Sequence, residues 1–568
     1  MSLRSRVNRF RSQTLQDKKR HVAELLWRQR SAANRRALLN SDTSLRMVTV
    51  DDQILPGRVV DNFTAQDAAA DNLGYVTDAL EAAGISYFLV PSPTAFRHTV
   101  GVHQSEQRAF LDSLLKRQGR SAVYISRPRN STKFMHTMVC ADNGLNPVLA
   151  EAEVLRIGEI RIGGEGQLLG TPELGCDVEF WRDGAKLLDS PAGQEALAWV
   201  QPQASEEVFR DSLVAPRRNL VSDVLPSSEQ KPATIQVRGR DFPTFQGFTV
   251  PTTHDVTFPI DVVYTWVDGE EPALREKRAR YKGEAAQILD KETNSSRYTS
   301  HDELKYSLRS LEMYAPFVRN VYIVTDGQTP SWLDTSQDRV RVVDHREIFP
   351  EDALPVFNSH AIETRLHHIP GLSEHYLYLN DDVFFGRPVT PQHFFHGNGI
   401  IKVPVSPLKI GLGSPRADET ATNSASKNVR KLLEGVHGKF TTNNFLHTPL
   451  PQRRSVLLEL EELFPEEFAR TARSRFRAPT DIAVTSPMHY NHALMTGLGI
   501  PGKYSYRYVN VSREDADRLL GDISQRRHYA FFCLNEVDVP EESRDEVHRR
   551  MSDFLNHYFP FPSPAEKP

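Results

Sequence analysis

Tyr376-Leu377-Tyr378-Leu379-Asn380-Asp381-Asp382-Val383-Phe384-Phe385 is an apolar run of strand character that ends in two adjacent carboxylates. In α/β proteins, ligands bind beside the carboxyl ends of strands. A paired Asp at such an end suits a hard divalent cation, Mg2+ or Mn2+, which takes oxygen ligands and is shared between carboxylates and substrate phosphates. The same residues also fit a strand followed by an Asn-Asp turn, so the rest of the chain has to decide between the two.

Strands and helices alternate on its N-terminal side. Pro259–Trp266 reads as a strand, and Ser300–Tyr314 as a helix that ends before Pro316. Ser300 and Glu303 have the spacing of a capping box at its start. Asn320–Thr325 and Arg339–Val343 read as strands, Ser359–His368 as a short helix, and His375–Leu379 as the strand before the Asp pair. This alternation predicts a mostly parallel sheet covered by helices, a Rossmann-like α/β core. Beyond residue 400 the chain turns more helical, at Lys427–Glu434, Arg454–Leu463, Glu466–Arg475, Thr480–Thr496 and Glu541–His557, with a last strand at Tyr529–Leu534. Residues 411–426, rich in Gly, Ser, Thr and Asn, read as a mobile loop over the site.

The first half is different in kind. Residues 1–36 hold eleven Lys/Arg against two acids, with a broken apolar stripe from Val7 to Trp27. A basic amphipathic helix of this sort, assigned to residues 1–44, suits either an anionic membrane surface or its own protein's surface. Residues 45–201 read as a smaller accessory α/β domain. Its Asp177 and Glu179 alternate with apolar residues as on a half-buried strand. Residues 202–255, with several prolines and polar clusters, read as a linker or irregular connection.

At 568 residues, 39% hydrophobic and 25% charged, the composition is that of a soluble globular protein of several domains. A formal net charge of -4 argues against a globally basic nucleic-acid binder. Cys140, Cys176 and Cys533 are far apart and odd in number, which predicts neither a disulfide framework nor a zinc site and favours a cytoplasmic location. The N-terminus has no apolar signal core, and the chain has no apolar run of about 20 residues.

Several residues are candidates for chemistry. The run Tyr264-Thr265-Trp266-Val267-Asp268-Gly269 ends the first core strand with a flat aromatic, a carboxylate and a tight turn. That suits a base and a ribose: Trp266 or Tyr264 for stacking, Asp261 or Asp268 for hydroxyls. Asp302 and Glu303 open a helix, and Arg309 two turns on can hold a phosphate or a surface partner. Glu363 sits in the first turn of its helix. With His360 and His367 it shares an i, i+3, i+7 face, a weaker zinc pattern than the neighbouring Asp pair is a magnesium one. His447 and Arg477 carry little signal alone.

Four blocks together resemble one family. They are Ile260–Gly269; Asp302–Leu333; the segment from Phe357-Asn358-Ser359-His360-Ala361-Ile362-Glu363 to Asn380-Asp381-Asp382-Val383-Phe384-Phe385-Gly386; and Leu446-His447-Thr448-Pro449 with Phe476-Arg477. This set is similar to the Stealth family of sugar-1-phosphate transferases, which includes bacterial capsule and exopolysaccharide phosphotransferases and the animal enzyme that makes the mannose-6-phosphate mark. The resemblance spans about residues 260–490 and makes 256–568 the catalytic domain. It implies catalytic roles for Glu363, Asp382, His447 and Arg477, a metal at Asp381 and Asp382, and a nucleotide-side block at Asp261 and Trp266; Asp268, Asp302, Glu303, Arg309 and Asn380, within or beside the same blocks, are candidate substrate contacts. Asp268 departs from the animal enzymes, which have Asn there. The implied reaction moves a hexose-1-phosphate from a UDP-sugar to a glycan hydroxyl and releases UMP. Either Glu363 or His447 takes the acceptor's proton. Implied partners are the donor, the glycan, and peripheral membrane or capsule-assembly machinery, with a homo-oligomer as a further option. The competing readings are a metal-dependent glycosyltransferase of similar fold releasing UDP, and a non-catalytic glycan-binding relative.

Overall fold

A computed structural model describes residues 33–50, 53–128, 134–142, 144–200, 203–282, 300–416, 418–536, 539 and 541–568. Most of the expected basic helix, residues 1–32, lies outside the described residues; 33–41 are helical. The chain divides into two compact units, Met1–Val250 and Pro251–Pro568.

In the first unit the helices Ala65–Ala82 and Gln107–Gln118 bury Leu73, Val76, Leu80, Phe110, Leu111 and Leu114 in a core shared with an eight-stranded sheet. Cys176–Trp181 of the strand Cys176–Asp183 is buried on both faces rather than half-buried. Its two acids are tolerated because they are paired. Asp177 takes both Nε and Nη2 of Arg156, at 2.6 and 3.1 Å, and Arg217 spans Asp177 and Glu179 at 2.8 and 2.7 Å. Residues 203–250, expected as a linker, instead carry a helix (Glu206–Arg210), the paired strands Ser212–Val214 and Val224–Pro226, and a hairpin of Pro232–Val237 with Arg240–Phe245. The prolines sit in strand and turn positions of that unit, so they shape elements rather than separate domains.

The second unit is built on β1 (Ile260–Thr265), α1 (Glu303–Tyr314), β2 (Val318–Thr325), β3 (Val340–Asp344), α2 (Ser359–Glu363), β4 (His375–Asn380), β5 (Val383–Phe385), β6 (Val405–Lys409), α3 (Ala421–His437), β7 (Asn443–Phe445), β8 (Leu450–Arg453), β9 (Tyr506–Asn510), β10 (Phe531–Asn535) and α4 (Arg544–Tyr558). The main sheet runs β3-β2-β1-β4-β8. Its first four strands are parallel and β8 is antiparallel. Chain order reverses between β1 and β4, so the crevice beyond their carboxyl ends is a topological switch point, where ligands bind in open α/β sheets. Thr265 pairs with Asn380 across that seam, which sets Trp266–Asp268 beside Asp381–Asp382. A second sheet, β5-β10-β9, starts immediately after the Asp pair and aligns Val383 with Cys533. α1 locks the two sheets together: its Ser307 hydroxyl is hydrogen bonded to the Tyr264 hydroxyl at 2.8 Å and donates to Val383 O at 2.6 Å.

Three local expectations are corrected. Residues 421–426 of the predicted loop are the first turns of α3, an amphipathic helix capped by Thr420 that takes in the predicted helix Lys427–Glu434. The predicted helix Ser359–His368 is α2 followed by a separate 3-10 turn at Leu366–His368. The predicted helix Thr480–Thr496 is a π-helical turn at Val484–Met488, where Pro487 removes a backbone donor, followed by the α-helix His489–Thr496.

Asp261 sits near the start of β1, away from its carboxyl end, and is fully buried. It accepts from Arg319 Nε and Nη2 at 2.8 and 2.6 Å and from the amides of Asn320 and Ser373 at 3.2 and 2.8 Å. This is a structural staple between strand starts and not a ribose contact. Asp261→Ala leaves these donors unpaired, so it is expected to lower stability by about 3 kcal/mol in urea unfolding with donor KM unchanged. A raised KM at wild-type stability would return Asp261 to the substrate.

Candidate active site

The rim of β1 and β4 gathers three acids from two elements. Asp381 and Asp382 follow β4, and Glu303 opens α1. α1 begins at Asp302, whose backbone is left-handed at φ 60° and whose exposed side chain caps nothing. The expected capping box is therefore absent, and Glu303 is turned inward, buried, accepting the His301 amide at 2.6 Å. Burial, together with the charges of Asp382 and Glu536, pushes Glu303 up to about 8. Burial and the charges of Glu303 and Asp382 likewise hold Asp381 well above the carboxylate range. Among the described residues no Lys or Arg forms an ion pair with any of the three.

Asp382 is held from the second sheet. Cys533 Sγ and Asn535 Nδ2 donate to its Oδ2 at 3.3 and 3.1 Å, and Leu534 N donates to its carbonyl at 3.0 Å. Its Oδ1 is buried with no hydrogen-bond partner among the described residues, 4.0 Å from His447 Nε2. The His447 ring is oriented at both nitrogens: Asn380 Nδ2 donates to Nε2 at 2.8 Å, so Nδ1 carries the hydrogen and faces Cys533 Sγ at 3.1 Å. Three mutually repelling carboxyls and an unpartnered buried oxygen suit a divalent cation; at this rim the ligand atoms that lie within 4.8 Å of one another are those of Asp382, His447 and Cys533, with Asp381 and Glu303 coupled to Asp382 electrostatically.

A second cluster adjoins the first. Glu363, at the end of α2 rather than in its first turn, accepts from Thr485 Oγ1 at 2.9 Å; burial raises its carboxyl and Arg477 opposes that rise. Arg477 Nη2 donates to Ser359 Oγ at 2.7 Å. The buried Tyr378 hydroxyl, 3.1 Å from Thr265 Oγ1, feels Glu363, Arg477 and Asp381 together and links the two clusters. His360 and His367 do not join Glu363: His360 faces Asp481 at 4.0 Å, and His367 shares Glu461 with His368 at 2.8 and 2.7 Å.

On the β1 side Trp266 is half-buried at the strand end, its amide donating to Val324 O at 3.1 Å. Asp268 forms a turn, accepting the Glu270 amide at 2.9 Å, and Gln328 bonds its backbone at 3.1 and 2.9 Å. Tyr264 is fully buried and cannot stack on a base. Arg309 lies elsewhere, held by Glu566 at 2.8 and 2.7 Å and by Phe559 O at 3.0 Å. The structure thus brings together Glu303, Glu363, Asn380, Asp381, Asp382, His447 and Arg477, and excludes Asp261, Tyr264 and Arg309. Cys533, Asn535, Tyr378 and Thr485 went unread in the sequence. The one available sign was Phe531-Phe532-Cys533-Leu534-Asn535, an apolar strand ending in an amide much as Tyr376–Asn380 does.

Comparison with known proteins matches Stealth protein conserved region 1 to residues 258–285, region 2 to 297–403, region 3 to 446–494 and region 4 to 521–568. An exopolysaccharide phosphotransferase of Streptomyces coelicolor is 39% identical over 497 residues, covering 87% of this chain and 82% of its own length. The chain belongs to the Stealth family. A second relative, the exopolysaccharide phosphotransferase CpsY of Mycobacterium tuberculosis, is 35% identical over 523 residues and covers 90% of each chain. As a Stealth protein the chain is an enzyme, a transferase. Its region 4, outside the blocks that carried the resemblance in sequence, supplies Cys533 and Asn535. The galactosyltransferase LgtC, in complex with donor and acceptor sugar analogues, is 12% identical with a TM-score of 0.29, covering 52% of this chain and 95% of its own, a likeness too slight to bear on the site.

Glu303 gives the site a pH signature. Its folded pKa lies above its ordinary 4.5, so between the two values the native state binds more protons than the unfolded chain. Stability from this group is complete below the unfolded pKa and is lost as pH rises towards 8. In EDTA, Glu303→Gln is expected to be more stable than the parent at pH 8 and little changed at pH 4, judged by urea midpoints. Parallel pH profiles for the two proteins would contradict the assignment.

Proposed function

We propose that the protein transfers a sugar-1-phosphate from a UDP-sugar to a glycan hydroxyl in exopolysaccharide synthesis. The observation that carries this reading is the pairing of an anion-repelling carboxyl cluster with an arginine and a polar cluster across one switch-point crevice. The relatives that match most of the chain, exopolysaccharide phosphotransferases, support the same reading. Asp381, Asp382 and Glu303 would hold a Mg2+ or Mn2+ ion, which when bound supplies positive charge for the diphosphate.

The chain's own residues do the rest. Trp266, half-buried at the strand end, offers a face to the uracil, and the Asp268 turn offers a carboxylate to the ribose. Arg477, fixed by Ser359 and facing the Glu363 carboxyl, presents its planar fork to a phosphate. The acceptor oxygen attacks the sugar-bearing β-phosphorus, the bond between the bridging oxygen and that phosphorus breaks, and UMP leaves with the bridging oxygen. The acceptor's proton goes to His447 Nε2, whose lone pair accepts the Asn380 amide until the acceptor hydroxyl takes that place, while Nδ1 keeps its hydrogen towards Cys533. Glu363, raised by burial, supports Tyr378 and Arg477 on the other side.

Incubation with UDP-sugars, a short glycan and Mg2+ is expected to release UMP and to give a phosphodiester signal in phosphorus NMR. UDP as the nucleotide product would instead assign the chain to glycosyl transfer. Asp382→Ala is expected to lower turnover by at least about 10²-fold with melting behaviour preserved. His447→Gln should lose about 10²–10⁴ in kcat with little change in donor KM. Near-normal kcat in His447→Gln would move the proton to Glu363.

A further inference from the structure

Beyond the crevice, the second unit carries an exposed apolar tip that the proposed reaction does not use. Leu412 is 81% exposed, Leu408 68%, Val436 50% and Phe440 49%. Single exposed hydrophobics are ordinary, but four neighbouring ones are not. Their proximity is structural. β6 and β7 are antiparallel, and Ile410 N donates to Thr442 O at 3.0 Å, so the segments holding Leu408 and Phe440 run side by side. Arg430 of α3 donates from Nη1 to Gly411 O at 2.7 Å and lies 4.2 Å over the Phe440 ring. Gly411 and Gly413, both at φ 83°, have no neighbours where a side chain would project, and they carry Leu412 between them.

The tip is also basic. Lys409, Lys431 and Lys439 are exposed around it, against Glu434. Arg430 itself is 4% exposed, and its Nε and Nη2 have no hydrogen-bond partner among the described residues. Beneath Phe440 its charge is met by the Gly411 carbonyl and by Glu434 one turn on, which leaves the three lysines as the positive rim. A partner for this surface must accept aliphatic side chains and balance a positive rim.

We propose that this tip docks on an anionic lipid bilayer, with Leu408, Leu412 and Phe440 at the acyl boundary and the lysines among headgroup phosphates. Such a surface satisfies both demands at once. A glycan would leave the leucines in water, and a two-fold contact between copies would set lysine against lysine. Among the described residues no helix is long and apolar enough to cross a membrane, so the contact is peripheral. β7 leads directly to Leu446 and His447, so docking here would hold the crevice near the bilayer.

The test is cosedimentation of the full chain with vesicles of phosphatidylglycerol and phosphatidylcholine, against vesicles of phosphatidylcholine alone. Two double variants are compared with the parent: Leu408→Ser with Leu412→Ser, and Lys409→Glu with Lys439→Glu. The basic segment at residues 1–36 is unchanged in all of them, so its contribution is common. The parent is expected to prefer the anionic vesicles, more weakly as salt rises, and each double variant to lose about tenfold or more in affinity at an unchanged melting temperature. Parental vesicle binding by both variants would overturn the proposal. So would equal binding to neutral vesicles. A leucine variant that changes self-association in sedimentation velocity but not vesicle binding would assign the face to a second copy and overturn it equally.

Discussion

Mutual repulsion among Glu303, Asp381 and Asp382 is the constraint around which the second unit is organised. The three come from a helix start and a strand end, and each raises the energy of the others in a buried setting. The surrounding fold has to hold them against that repulsion. It does so with the β1–β4 register that fixes the rim, the Tyr264–Ser307–Val383 chain that ties α1 to both sheets, and the β10 residues that grip Asp382. On the proposed reading, a cation in their midst would turn an unfavourable cluster into a favourable one, giving metal affinity and local repulsion one origin.

The neighbouring cluster is balanced differently. Glu363 and Arg477 offset one another, and Tyr378 and Thr485 complete the hydrogen bonding around the carboxyl. One wall of the crevice is therefore anionic and the other holds a balanced acid and base, a division of labour that suits the diphosphate donor of the proposed reaction. Phosphoryl transfer depends mainly on positioning and on charge stabilisation, and both walls sit on strand ends or on segments pinned by side chain to backbone contacts.

Much of this was legible in the sequence. The alternation of strands and helices gave the parallel core, and the Asp pair lies at the carboxyl edge of that sheet, directly after β4, as its sequence context predicts. The misses have physical causes. Glu303 had the spacing of a cap, but a left-handed Asp302 redirects the first turn and its carboxylate folds inward onto the His301 amide. Asp261 and Arg309 looked available because their partners, Arg319 and Glu566, are 58 and 257 residues away in sequence. Cys533 and Asn535 reach Asp382 only through a strand pairing across some 150 residues, which periodicity does not reveal. The chain from 203 to 250 read as a linker because its strands are short and proline-bearing.

The most direct measurement is anomalous diffraction from a crystal soaked with Mn2+ and a UDP-sugar. The account predicts a manganese peak bonded to Asp382 Oδ1 with Asp381 and Glu303 around it and the diphosphate reaching it from the Trp266 side. A fully occupied peak away from that rim, with the nucleotide bound in the crevice, would contradict it.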